Sequence, residues 1–252
     1  MSNEGRSYLR LLQISKVVTK EGECVLSFLF SDDTSKKTLD FVFPAFCEQA
    51  IVNDRCDAFL LAMYPICARR NIDIYSDIPA SKDFYRKINA LNAFLAYKSS
   101  QYHRITIKAE TMSAAKVFRA WRLASGSLGV DSLHTLYVLD NNELYERPTH
   151  LVFNNTGSNE EGGVLHKELL QGRIENTMAF CKDNGYDFIF VDSNYKRLFE
   201  MRYGYTHLFV NASIAYMLGN SVSQFYVSSS GDTSNSLTYD GDPGHVDFVI
   251  YQ

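Results

Sequence analysis

Ser127, Asp131 and Ser132 lie within six residues of one another, beside Gly126 and Gly129, in the stretch from Phe118 to Leu139. These residue types at this spacing suit the holding of an anion. Glycines accept φ > 0 and let the backbone turn sharply. Hydroxyls donate hydrogen bonds, and a carboxylate beside a bound phosphate holds a divalent metal. The elements that position them follow from the pattern. Phe118 to Ala124 is apolar and aromatic, interrupted by Arg119 and Arg122, and reads as a buried strand. Ser125 to Gly129 is a tight turn of small residues, and from Val130 the apolar residues Leu133, Leu136 and Tyr137 recur at helical spacing. A strand that feeds a helix through such a turn leaves the first-turn N–H groups without partners. The helix dipole adds about half a positive charge there.

Ser127-Leu128-Gly129-Val130-Asp131-Ser132 resembles the SGGxDS pyrophosphate loop of the N-type ATP pyrophosphatases. Five of its six positions fit, counting the variable one, and Leu128 stands where the family usually has Gly. If that position is left-handed, a leucine there costs about 1–2 kcal/mol. The remaining segments resemble an uncharacterised bacterial branch of the superfamily over about residues 40 to 250, with counterparts at Leu151 to Asn154, Ser193-Asn194 with Arg197, His207, Ser228 to Ser230, and Gly241 with Asp247. Departures are Ser193 for the usual Thr, Leu208 for the Gly after His, and Asp242 for a usual Ser.

The resemblance implies an adenine nucleotide alpha hydrolase-like fold, with ATP and Mg²⁺ as cofactors. It implies attack by a substrate oxygen on the α-phosphate, release of pyrophosphate, and displacement of AMP by a second nucleophile. Carried over residue by residue, Ser125, Ser127, Leu128, Gly129, Val130, Asp131 and Ser132 form the ATP loop, and Asp131 holds the metal. Backbone at Val152, Phe153 and Asn154 edges the adenine, Arg197 is the cation for the α-phosphate or substrate, and His207 is an acid or a phosphate contact. Asn194, Ser229 and Asp247 face substrate. The plain alternatives are a strand–turn–helix connection without a ligand, a solvated helix-face arginine at 197, and a helix-start histidine at 207.

Two segments follow from the chain order. Residues 1–112 read as a small α+β domain for substrate or partner. Its strands are expected at Tyr8 to Val18, Cys24 to Phe30, Leu39 to Phe43, Ile72 to Tyr75 and Arg104 to Ala109. A helix from Asp54 to Arg69 places Phe59, Leu60, Met63 and Ile66 on one face, with Pro65 distorting its end. Ser81 is the expected N-cap of a helix to about Tyr97. Residues 113–252 read as α/β. Strands at Thr149 to Asn155, Tyr186 to Val191 and Gln224 to Val227 alternate with helices at Leu165 to Asn184 and His207 to Leu218. That alternation implies a doubly wound parallel sheet, with the polar turns after Ala124, Phe153, Val191 and Val227 converging on one crevice. The polar tail from Gly231 to Gly244 reads as a loop or a substrate lid before a β-like Val246 to Tyr251, and the chain reads as cut short after it.

The 252 residues suffice for one large or two modest domains with a sizeable core. A net charge of −4 and a pI near 5.9 give no global case for nucleic-acid binding. No apolar run approaches the ~20 residues that span a bilayer, so no membrane role is expected. Five cysteines without a CxxC pair point to reduced thiols in a cytoplasmic protein. Only Cys181 lies in the α/β part, which excludes a four-thiolate zinc site there. No GxSxG elbow or HExxH pair occurs. Three readings therefore stand: an adenylating ligase acting on a small molecule or a modified macromolecule, a catalytically degenerate nucleotide-binding module, and a protein-interaction module. Homodimerisation is open in each.

Overall fold

The computed structural model describes residues 6–114, 119–158, 160–161 and 164–228. Lys116, Phe118, Ser229, Ser230, Gly241, Asp242, Asp247 and the strand expected at Val246 to Tyr251 lie outside the described residues.

Three apolar runs form an antiparallel meander of β1 (Tyr8–Val18), β2 (Glu23–Ser31) and β3 (Lys36–Pro44). Along β2 the even positions Cys24, Leu26, Phe28 and Phe30 are buried and the residues between them are not. This is the signature of a sheet with core on one face only. The carboxylate of Asp32 closes the β2–β3 turn by accepting from the Thr34 and Ser35 N–H groups and from Lys37 Nζ.

Helix α1 (Asp57–Arg70) leads to β4 (Asp73–Ser76), which pairs parallel to β1. The spacing predicts one apolar face on α1, but the helix is buried on every side from Asp57 to Ala68, because it lies between the sheet and other helices. Pro65 sits within it, and α1 continues to Arg70, where Asn71 closes it at φ 56°. β5 (Ala80–Ser81) precedes α2 (Lys82–Lys98). The strand expected over 104–109 is confined to β6 (Ile107–Lys108). Side chains have taken the backbone before it: Asn92 exchanges hydrogen bonds with Ile105, and the Thr106 N–H donates to Asp73. Among the described residues β7 (Thr111–Met112) pairs only with β5.

The second half runs β8 (Trp121–Ser125), α3 (Val130–Asn141), β9 (His150–Asn155), a short ladder of β10 (Glu160–Glu161) and β11 (Val164–Leu165), and α4 (Lys167–Asn184). It continues through β12 (Asp187–Ser193), α5 (Tyr195–Phe199), α6 (His207–Met217) and β13 (Val222–Tyr226). Gly185, at φ 71°, ends α4 in the left-handed conformation that Asn184-Gly185 foretells.

Nine of these strands share one sheet in the order β13-β8-β9-β12-β3-β2-β1-β4-β6, while β5–β7 and β10–β11 pair apart from it. β13, β8, β9 and β12 are mutually parallel, and β12 meets β3 antiparallel at Asp192 opposite Val42. The fold is therefore mixed α/β with a large, mostly parallel sheet. A single sheet passes through both segments. Its faces separate along each strand. Leu123, Val152 and Ile189 join α1 and α6 in the main core, whereas Ala124 and Leu151 join Leu136 of α3 and Cys181 of α4 in a second cluster. Helices thus cover both faces of the parallel half.

Candidate functional site

The loop between β8 and α3 sits at the carboxyl end of parallel strands, over a cavity of about 320 Å³. A volume of this size lies within the range of small-molecule sites. Gly126 fits where little else does: its N–H donates to the Val152 carbonyl at 2.8 Å, and a Cβ there would stand 3.1 Å from the Leu151 Cβ. Leu128 has φ 51°. The position occupied by Gly in the resembled motif is therefore left-handed here, and a leucine pays the strain of about 1–2 kcal/mol. Gly129, at the N-cap position of α3, contributes no side-chain hydrogen bond to the first turn. The loop hydroxyls turn inward. Ser127 Oγ donates to Ser132 Oγ at 3.2 Å, and Ser132 Oγ donates to the Gly129 carbonyl at 2.9 Å.

Ser125, Ser127, Gly129, Asp131 and Ser132 line the cavity, and so do Val152, Phe153, Asn154 and His207. Leu128 and Val130 belong to the loop without lining it, and Val130 is 85% exposed at the start of α3. Of the four expected turns, those after β8, β9 and β13 reach the cavity, and the turn after β12 does not. That turn is spent on the neighbouring strand. Ser193 Oγ donates to the Asp40 carbonyl at 2.7 Å, and Asn194 accepts from the Asp40 N–H at 2.9 Å while donating to the Thr38 carbonyl at 3.0 Å. Asn194, expected to face substrate, stitches β12 to β3. Arg197 lies exposed on α5, away from the cavity. Ser229 and Asp247 lie outside the described residues.

Sequence reading did not single out Arg173 of α4, Tyr203 or Asn211 of α6, which also line the cavity. Asn211 Oδ1 accepts from Asn154 Nδ2 at 2.9 Å, which fixes the end of β9 to α6. Burial pushes the Tyr203 phenol above its usual range, against hydrogen bonds to Ser158 and Thr156 that pull it down. Its ring lies 5.4 Å from that of His207. Arg173 and Asn211 follow no local motif, and only the packing of α4 and α6 against the strand ends brings them in. Ser125 Oγ and His207 Nδ1 are buried without a hydrogen-bond partner among the described residues. Buried polar atoms are rarely left so, and both belong to residues of the cavity wall.

Among the described residues no group of three or more His, Cys, Asp or Glu side chains gathers to hold a metal. Asp131 is the one carboxylate on the cavity wall among those residues. A single carboxylate fits Mg²⁺ only when phosphates supply further oxygens, which is how Mg²⁺ is commonly held beside a nucleotide.

Replacing Leu128 by Gly relieves the left-handed strain but loosens the unfolded chain and removes partly buried apolar surface. The net expectation is a gain of at most about 1 kcal/mol in stability, read by denaturant unfolding. A loss of stability instead would show that the leucine side chain holds the loop.

No protein-family model, curated protein or solved structure matches this chain.

Proposed function

We propose that the cavity binds ATP with its phosphates on the 125–132 loop and its adenine along Val152 to Asn154, and that the protein adenylates a small-molecule or macromolecular acceptor. On this reading the parallel half is a doubly wound unit of the adenine nucleotide alpha hydrolase-like kind, and residues 1–112 serve acceptor recognition. The observation that carries it is Leu128 at φ 51°. A loop that tolerates this strain is one whose backbone shape matters more than its side chain, and such outliers gather at ligand sites.

The free N–H groups at the start of α3 and its dipole oppose the phosphate charge. Asp131 would hold Mg²⁺ beside the bound phosphates, and the ion would lower the cost of charge on the leaving pyrophosphate. An acceptor oxygen attacks the α-phosphorus, the bond to the β-phosphate oxygen breaks, and pyrophosphate leaves with the electron pair. The acceptor is left adenylated, and a second nucleophile then expels AMP. The protein's part is positioning and charge stabilisation. Arg173 replaces Arg197 as the cation for this step, since it lines the cavity and Arg197 does not.

The absence of Arg197 from the residues that line the cavity also favours a second reading, in which the nucleotide binds and no transfer follows. Titration calorimetry with Mg-ATP and AMP tests binding. Asp131→Asn is expected to weaken Mg-ATP about tenfold and leave AMP unchanged, the loss of one charged ligand to the metal. Equal weakening of both, or no binding by the folded wild type, overturns the nucleotide site. Pyrophosphate release with a pool of candidate acceptors separates turnover from binding alone.

A further inference from the structure

A second cavity, of about 300 Å³, lies at the opposite end of β8 and α6. His207 opens α6 at the first cavity and Tyr216 closes it at the second, so the two lie about 13 Å apart along the helix at 1.5 Å per residue. Among the described residues the two cavities share no lining residue.

Two guanidinium groups meet here. Arg55 is 10% exposed at its side chain and bonds Asp54 at 3.0 Å, with Asp57 at 3.6 Å. Arg119 stands on the same wall, just before β8. Burial and then the nearby Arg55 charge lower the Arg119 pKa, with Tyr216 opposing. Lys82 adds a third cation at the rim. The two carboxylates of the wall are already engaged. Asp57 accepts from the Ser81 N–H at 2.8 Å and from Ser81 Oγ at 2.6 Å, and Asp83 pairs with Arg86 and Lys87 at 2.8 Å each.

The Ser81 hydroxyl has a further consequence. The sequence marks Ser81 as the N-cap of α2, but its hydroxyl donates to Asp57, so no side chain caps the helix. The opening residues of this 17-residue helix, Lys82 to Phe84, line the cavity. Phe84 and Tyr216, with ring centroids 5.0 Å apart, form an apolar wall beside the cations.

We propose that this cavity is a second ligand site, which takes a phosphoryl group between Arg55, Arg119 and the start of α2. Guanidinium forks match phosphate oxygens in pairs, and helix-end amides accept the same charge. The shared chemistry is a phosphate monoester or the free ion, and the aromatic wall favours the ester. The assignment does not rest on the nucleotide reading of the first cavity.

The test uses Ser127→Glu protein, in which a carboxylate occupies the first loop, titrated at constant ionic strength with inorganic phosphate and with phenyl phosphate. Saturable binding is expected, and adding Arg119→Gln is expected to weaken it about tenfold, the loss of one charged fork. Tighter binding of the ester assigns the source as a phosphorylated organic molecule, and equal binding assigns free phosphate. Unchanged affinity on adding Arg119→Gln, or no saturable heat up to about 20 mM ligand, overturns the site. If Arg119→Gln does not fold, the exposed Lys82→Gln takes its place with an expected loss of about threefold, and no loss overturns the proposal equally.

Discussion

Phe59→Ala is expected to lower the free energy of unfolding by about 3–5 kcal/mol, the usual range for emptying a fully buried phenylalanine site. Phe59 has no exposed surface, and its ring lies 5.5 Å from that of Phe28 and 5.8 Å from that of Phe30. Phe28 in turn meets Phe41 edge-on at 6.3 Å. The ring thus ties α1 to β2 at two points, and through Phe28 to β3, and neighbours held in a sheet collapse poorly into the space it leaves. The midpoint temperature of a chain this long should fall by about 10 °C. Scanning calorimetry also shows how far the damage spreads. Since β12 pairs with β3 and Asn194 bridges them, unfolding is expected as one transition that carries the parallel half with it. Two transitions, with only one displaced by the substitution, would show that the seam does not couple the halves.

Local signals read well in this sequence and pairings across it did not. The β8–loop–α3 unit was legible because an apolar, aromatic run, a run of small residues and a helical repeat follow one another without a gap. Asn184-Gly185 and the His207 helix start are likewise signals carried by adjacent residues. Ser81 shows the limit. Its type and position say N-cap, yet a buried carboxylate 24 residues away competes for the hydroxyl and wins. Asn194 shows it again: a polar residue after a strand reads as a ligand contact, and only the antiparallel arrival of β3 gives it a structural partner. Loop-closure entropy sets no local pattern that marks which distant strand will pair. Arg173 escaped for the same reason, since a lone arginine within a polar helix looks solvated until the helix is laid across the strand ends. Leu128 is the instructive case, where a departure from a motif marked the one loop residue whose conformation departs too.

Ser127→Glu is expected to raise the Kd for Mg-ATP at least about thirtyfold without lowering the melting temperature. The two halves of this expectation come from the same charge. Residue 127 is exposed, two residues ahead of the N-cap position of α3, where no side chain caps the first turn. A carboxylate there interacts favourably with the helix dipole, by about 0.3–1 kcal/mol. That offsets the loss of the 3.2 Å hydroxyl contact to Ser132, a long bond from an exposed residue, after which Ser132 still keeps its 2.9 Å bond to the Gly129 carbonyl. The same carboxylate sits where the triphosphate must. Two unit charges about 4 Å apart near a protein surface repel by about 4 kcal/mol, and half of that accounts for thirtyfold. Ser127→Ala removes the hydroxyl and adds no charge, so it should cost only a few-fold. A structural role for residue 127 predicts the opposite order, with stability falling and affinity following it. Calorimetric titration beside a melting curve separates the two. A glutamate variant that melts no earlier and still binds Mg-ATP as the wild type does would place the phosphates away from this loop.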